Sequence, residues 1–249
     1  MKVFYSGKGI HGPSIELVNK LADADVYIVE GGDGTMLRAV SHICLNKLWH
    51  IAILGSNTGH VGFLSNDLNI KLLNSVLNKS NVDDLPIEER NLLIVENNGQ
   101  RHYALNEVVL QPQAPGHLFE VGVSLHNLEI NGKMFILEYK GDGVIISTAS
   151  GSTAYNLSAG GPIVLPELNT MTITPICPFS LATRPLIIPG RTALCIDIGA
   201  PAYLTVDGVA TEAHNLIHVR MSKHKVRLVK FSSFVDAVHE KLGWNRSIK

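Results

Sequence analysis

Aromatic side chains make up only 6% of the 249 residues, and cysteine is scarcer still, with Cys44, Cys177 and Cys195 alone. An odd count with no C-x-x-C pair excludes a disulfide framework and a cysteine zinc site, and the apolar surroundings of each thiol read as core packing in the reduced state. Charge of one sign is also lacking. The formal net charge is −1 and the basic residues are scattered, so the chain has no electrostatic footprint for nucleic acid. No apolar run approaches the ~18 residues of a membrane span, and the opening "KVFYS" has neither a basic leader nor the apolar stretch of a signal peptide. These absences give the expectation of a soluble, cytoplasmic protein with neither nucleic acid nor a membrane as partner.

Several catalytic signatures are missing as well. The eleven histidines are dispersed, without the H-E-x-x-H pairing that would put two imidazoles on one helix face for zinc. There is no Walker A sequence, no protein-kinase motif set and no G-x-S-x-G elbow, so a serine hydrolase is disfavoured and phosphate chemistry needs another scheme.

What is present is a well-mixed globular composition, 45% hydrophobic and 17% charged, with enough length for sizeable cores. The first third alternates strand and helix. "KVFY" is followed by a helix entered at Pro13 and carrying Ile15, Leu17, Val18 and Leu21, then "VYIVE", a helix over Met36 to Cys44, "HIAILGS", and a helix near Asp67 to Asn78. Such alternation predicts a doubly wound parallel sheet. From about Pro86 the pattern changes to short β runs, "NLLIVE", "FEVGVSLH", "LEINGKMFILEY" and "RTALCIDIG", punctuated by Asn-Gly, Asp-Gly and Pro-Gly, which predicts antiparallel β structure. Helical spacing returns in "SSFVDAVHEKLGW" through Phe234, Val238 and Leu242, with Ser232 or Ser233 as cap. The expected layout is therefore an N-terminal α/β domain over 1–85, a sandwich-like all-β domain over 86–231, and a helix over 232–243 that packs back on the first domain.

Four segments hold more glycine and polar residues than packing asks for: "GGDGT" at 31–35, "LNEVVL" at 105–110, "GDGVIISTASGSTAYNLSAGGP" at 141–162 and "VDGVATE" at 206–212. In the first, Asp33 sits between a strand and a helix among glycines that allow close approach of a ligand, and the helix start offers unpaired N–H groups to phosphate oxygens. A plain structural turn fits that stretch equally well. Asn106 and Glu107 are adjacent in an apolar run, so they meet one ligand only at a strand end or bulge. An amide can read an adenine edge and a carboxylate can accept from ribose hydroxyls, though two polar residues at the start of a half-exposed strand explain the dipeptide too. The third segment offers the hydroxyls of Ser147, Thr148, Ser150, Ser152, Thr153 and Ser158 around Tyr155. They suit a base and sugar, or simply a Ser/Thr-rich loop.

Taken in order, "GGDGTML", "LNEVVL", "GDGVIISTASGSTAYNLSAGGPIV" and "ITPICPFSLATRPLIIP" resemble the NAD kinase family, over roughly residues 25 to 210, and "GSNTGHVGFLSN" at 55–66 resembles that family's glycine-rich segment. "GGDGT" alone is shared with diacylglycerol and sphingosine kinases and has a close variant in 6-phosphofructokinases; the long block through "SGSTAYNLSAGGP" is not. The resemblance implies phosphoryl transfer from ATP or polyphosphate to the adenosine-ribose 2′-hydroxyl of NAD, a divalent cation, usually magnesium, and a homodimer or homotetramer. It implies Asp33 as catalytic carboxylate and Gly32, Gly34 and Thr35 along the phosphates. Asn106 and Glu107 would bind adenosine, Ser150, Thr153, Ala154, Tyr155 and Ser158 would line base and ribose, and Asp142 would reach the nicotinamide side. The chain departs from the family's common pattern at Ala149-Ser150, at Phe179 and at Val209, none of which is an implied catalytic group. A kinase of a lipid or other small alcohol, and a non-catalytic dinucleotide-binding module, are the competing readings.

Overall fold

The structure is a computed structural model that describes residues 1–5, 16–57, 62–67, 76, 78–114, 119–126, 135–214 and 216–243. The chain divides into two compact units, Met1–Arg90 with Lys225–Lys249, and Asn91–His224.

The first unit opens with β1 (Lys2–Tyr5), β2 (Glu16–Leu17), β3 (Val26–Glu30), α1 (Asp33–Asn46), β4 (Ala52–Asn57) and β5 (Asn66–Asp67). Strands β2, β1, β3 and β4 lie side by side in that order, all parallel. Consecutive residues Val26, Tyr27, Ile28 and Val29 are all buried, the mark of a parallel strand covered on both faces. Helix α1 buries the stripe Met36, Ala39, Val40, Ile43 and Cys44 at the spacing its sequence shows, and ends at Lys47 in the left-handed conformation (φ 56°). The helix expected through Leu17 is not formed there. Glu16 and Leu17 pair instead with Lys2 and Val3 at the sheet edge, and Leu21–Asp23 makes one 3-10 turn. A short apolar stretch is too brief to hold a helix by propensity, while the edge of β1 offers it ready backbone partners. The helix expected near 67–78 falls almost wholly outside the described residues.

The second unit is antiparallel. It comprises β6 (Ile87–Asn97, from Asn91 onward), β7 (Gln100–Ala104), β8 (Glu107–Pro112), β9 (Phe119–His126), β10 (Phe135–Gly141), β11 (Gly143–Thr148), the short helix α2 (Tyr155–Ser158), β12 (Thr170–Ile176), β13 (Leu186–Pro189), β14 (Ala193–Ile198), β15 (Ala202–Val206), β16 (Val209–Ala213) and the greater part of β17 (Leu216–Val229). One layer runs β13-β12-β11-β8-β15-β16 and the other contains β10-β9-β14-β17. Val108, Ile146, Ile173 and Leu204 from the first layer share a core with Val123, Leu194, Ile196 and Val219 from the second, so the unit is a sandwich filled by alternate residues of its strands. Thus the doubly wound α/β plus sandwich-like β class read from the sequence stands.

The far end of β17 belongs to the first unit, where Arg227 and Leu228 pair parallel with Ala52 and Ile53. Helix α3 (Phe234–Leu242) follows. Ser233 caps it by accepting the Asp236 N–H at 3.1 Å, a bond worth about 1 kcal/mol, and the Phe234 ring lies 5.9 Å from that of Phe63. The cysteine expectation holds for Cys44 and Cys195 and fails for Cys177, which is exposed. Cys177 stands just after β12 with φ 43°, a left-handed turn that takes the residue out of the pleat instead of into the core.

Candidate active site

In the first unit the site is built around the turn that links β3 to α1. Gly31 has φ +143°, and a Cβ there would stand 2.4 Å from Thr35 Oγ1, so the backbone itself requires this glycine. Gly32 and Gly34 differ: a Cβ on either meets no described atom within 4 Å. Among the described residues nothing packs where their side chains would stand, and Gly34 is exposed at the helix start. Thr35 Oγ1 accepts from Arg38 Nη2 at 3.1 Å.

Asp33 turns its carboxylate onto the chain at 62–65. Its Oδ2 accepts the Phe63 N–H at 2.8 Å, and its Oδ1 accepts those of Leu64 at 3.1 Å and Ser65 at 3.4 Å. A Cβ on Gly62 would fall 1.7 Å from Asp33 Oδ1, which explains a glycine there by close approach alone. The other side of the same segment is held by Lys230, whose Nζ donates to the carbonyls of Ser65 at 2.9 Å and Phe63 at 3.3 Å. Burial lowers the Lys230 ammonium to about 8, with Arg90 pushing the same way and Glu88 and Asp33 opposing. Sequence reading missed Lys230, because one lysine after a β run carries no signal until its carbonyl partners are known.

In the second unit Asn106 and Glu107 meet the strand-end condition. Asn106 precedes β8 and Glu107 is its first residue, and both are only 8% exposed. Their backbone is fixed by Asp207, whose carboxylate accepts the N–H groups of Leu105 (2.7 Å), Asn106 (2.9 Å) and Glu107 (3.1 Å). Thr148 holds the opposite edge: its hydroxyl donates to the Leu105 carbonyl at 2.5 Å and its N–H to that of Asn106 at 2.9 Å. Asp207 and Gly208 have φ 45° and 84° and form the two-residue turn of the β15–β16 hairpin, a job suited to Asp-Gly. Sequence reading singled out "VDGVATE" without assigning Asp207, since the Asp-Gly pair is already explained by the turn.

Burial and then the Asp207 charge raise the Glu107 carboxyl to about 8, against a backbone bond from Tyr155. Burial raises Asp207 to about 6, against its three backbone bonds. Glu107 Oε2 is buried without a hydrogen-bond partner among the described residues. The same burial favours the protonated carboxyl, a form whose O–H can donate to a ligand.

The Ser/Thr-rich segment is not a loop of free hydroxyls. Ser147, Thr148 and Ser152 are fully buried and are used internally, Ser152 bridging to Val164 in both directions at 3.1 and 3.0 Å. These three are therefore corrected from ligand candidates to structural groups, because their strand and turn place them inward. Asn156, also buried, pins the same turn through bonds to the Ser152 and Pro162 carbonyls and from Thr174. The accessible candidates are Thr153, Ala154, Tyr155 and Ser158, with Asp142 exposed before β11 and Ser150 buried.

Models of the ATP-NAD kinase N-terminal and C-terminal domains match residues 15–84 and 105–231. NAD kinases of Geobacter sulfurreducens and Methanothermobacter thermautotrophicus are 36% and 37% identical to the chain, over 89% and 88% of its length and 79% and 77% of theirs. The chain belongs to the NAD kinase family. Phosphorylation of NAD to NADP is accordingly its activity, and the lipid-kinase and non-catalytic readings are not favoured. Among solved structures, yeast NADH kinase complexed with NADH matches with TM-score 0.78 and 28% identity over 94% of this chain and 72% of that one. An Archaeoglobus fulgidus NAD kinase in complex with ATP matches in fold, with TM-score 0.75 and 24% identity over 100% and 99% of the two chains.

Among the described residues no three His, Cys, Asp or Glu side chains gather. The described side chains thus form no cage for the divalent cation that family resemblance implies. Nor is any described helix long and apolar enough to cross a membrane.

Proposed function

We propose that the chain transfers the γ-phosphoryl group of ATP to the 2′-hydroxyl of the adenosine ribose of NAD, with Asp33 as proton acceptor. The observation that supports this reading is the turn at 31–35: a carboxylate held in place by backbone amides, next to two glycines whose open sides face no other described part of the chain. A ribose hydroxyl is a poor nucleophile at neutral pH, and a carboxylate in hydrogen-bond reach assists by taking its proton. The 2′-oxygen bonds to the γ-phosphorus, the bond to the β,γ-bridging oxygen breaks, ADP leaves and the proton passes to Asp33. Oδ2 is the atom suited to receive it. Oδ1 already accepts two N–H bonds and the Ser65 hydroxyl, whereas Oδ2 accepts one N–H and has room for another bond. At the start of α1 the amides of Gly32 and Gly34 meet the phosphoryl oxygens and offset their charge, and Thr35, whose N–H is taken by the Gly32 carbonyl at 2.9 Å, lines them through its hydroxyl.

NAD is read as bound by Asn106, Glu107, Asp142, Ser150, Thr153, Ala154, Tyr155 and Ser158. The exposed ring of Tyr155 supplies a stacking face, and the Glu107 carboxyl a hydrogen bond to a purine or ribose acceptor. ATP and NADH are held by the two matched structures; ATP is taken as donor here, with polyphosphate as the other candidate. Assembly as a homodimer or homotetramer in the cytoplasm belongs to the same reading, and sedimentation velocity tests the former.

The direct experiment mixes the protein with NAD or NADH, ATP or polyphosphate, and Mg²⁺, and follows the products by phosphorus NMR. A 2′-phosphomonoester of NAD with stoichiometric ADP is expected. Phosphorylation at another hydroxyl, or no product with either donor, contradicts the proposal.

A further inference from the structure

We infer that Lys230 is a positioning residue for the phosphoryl transfer, acting from the carbonyl side of residues 63–65 to hold their amides against the Asp33 carboxylate. This rests on Asp33 being the proton acceptor. Lys230 follows β17 and is only 6% exposed. Burying an ammonium is costly unless hydrogen bonds replace its water, and an apolar residue of similar length would avoid that cost. Its placement is explained by what it holds. Nζ donates to the carbonyls of Phe63 and Ser65, while the N–H groups of Phe63, Leu64 and Ser65 donate to Asp33. The segment is therefore gripped from both edges by opposite charges, and neither can shift without dragging the other.

The surroundings leave the segment little alternative. The backbone on either side of Lys230 is anchored to Asn66, whose Nδ2 donates to the Val229 carbonyl at 2.8 Å and whose Oδ1 accepts the Phe231 N–H at 3.0 Å. Lys230 N–H donates to the Pro86 carbonyl at 2.9 Å. Lys241 covers Phe63 from the α3 side, its Nζ 5.2 Å from the ring centroid. At Gly62 the carboxylate sits where a Cβ would be, so Asp33 is close-fitted against this one arrangement of 62–65. If the carbonyl grip is released, the amides turn and the carboxylate loses its fixed direction. A displacement on the order of 1 Å in a catalytic group costs up to about 10²-fold in rate.

Lys230→Met keeps the aliphatic stem and removes the donors. Hydrogen exchange of the whole protein is expected to be at least about tenfold faster over residues 62–66, with β3 and β4 unchanged. In parallel, kcat is expected to fall about 10- to 100-fold while the KM for NAD stays within about threefold. Lys230→Arg, which retains a cation and several N–H donors, is expected to restore protection and most of kcat. Should the Met variant fail to fold, Lys230→Gln, uncharged and shorter, takes its place against the Arg variant. Unchanged exchange over 62–66 overturns the grip itself; faster exchange with unaltered kcat overturns its role in the reaction. The exchange measurement does not depend on turnover, so loss or survival of the grip is read separately from the Asp33 assignment, which is tested by Asp33 variants.

Discussion

Two aspartates in separate units do the same thing to the backbone. Asp33 accepts the N–H groups of residues 63–65 and Asp207 those of 105–107, and in each case one oxygen takes one backbone N–H and the other takes two. The carbonyl edge is held by Lys230 in the first unit and by Thr148 in the second. The difference lies in what surrounds the two carboxylates. Asp207 closes a hairpin turn and stands beside Glu107, with both pKa values raised by burial. Asp33 opens α1 between Gly32 and Gly34, where a Cβ would meet no described atom. The same latch thus fixes a strand end in one unit and the turn before a helix in the other; on the proposed function the first binds NAD and the second presents a carboxylate to the reacting hydroxyl. Hydrogen-bond geometry alone does not separate a structural aspartate from a chemical one, and both residues are half-buried; what differs is the neighbour, a second raised carboxyl for Asp207 and a helix start for Asp33.

The comparison is broken most strongly at Gly62. Gly62→Ala puts a methyl group in the place of Asp33 Oδ1, and kcat is expected to fall about 10- to 100-fold as the carboxylate is displaced, with the NAD KM nearly unchanged in steady-state assays. A comparable but energetic loss is expected for Asp207→Asn, which tolerates the left-handed turn and gives up the Leu105 bond. Stability should drop by about 1–3 kcal/mol, seen as a Tm lower by roughly 2–10 °C and a raised NAD KM, with kcat within about fivefold.

Smaller again is the pH effect of Glu107. Its folded pKa of about 8 lies above the ordinary carboxyl value of 4.5, so between those values the folded state binds more protons than the unfolded one, and stability falls as pH rises. Its contribution is present below about 4.5 and is lost by about 8. The slope is at most about 1.4 kcal/mol per pH unit. Glu107→Gln is expected to flatten the decline in urea midpoint between pH 6 and 8; an equally steep decline in the variant contradicts the raised carboxyl. The mildest change is Gly34→Ala, expected to leave Tm within about 1 °C, since the methyl meets no described atom, while raising the ATP KM severalfold. A lowered Tm with unaltered KM would make that glycine structural.

Much of this was legible in the chain itself. The buried run of β3, the stripe of α1 and the Ser233 cap follow from local pattern, because burial period and capping are written within a few residues. The strand at Glu16–Leu17 was not, since its backbone partners are supplied by β1 and not by its own sequence. Asp33, Asn106 and Glu107 stood out as candidates because polar residues interrupt glycine or apolar runs. Lys230 and Asp207 did not: each acts on backbone groups more than 90 positions away, and such contacts leave no trace in spacing. The Ser/Thr segment misled for a related reason, as a hydroxyl bonded to a buried carbonyl and one facing a ligand have the same letter.

The most direct test applies one substitution to both latches. Asp33→Asn and Asp207→Asn are isosteric, keep the oxygen that takes two N–H bonds and lose the bond to a single amide, so their effects on the backbone should be alike. Single-turnover formation of NADP at saturating NAD, ATP and Mg²⁺ removes substrate affinity and product release from the measurement. If Asp33 takes the ribose proton, its variant is expected to fold and bind NAD yet react about 10² to 10⁴ times more slowly, while the Asp207 variant stays within about fivefold of the parent. An Asp33→Asn rate within a few fold of the parent, or equal losses in the two variants, would contradict the assignment and leave both aspartates as parts of the scaffold.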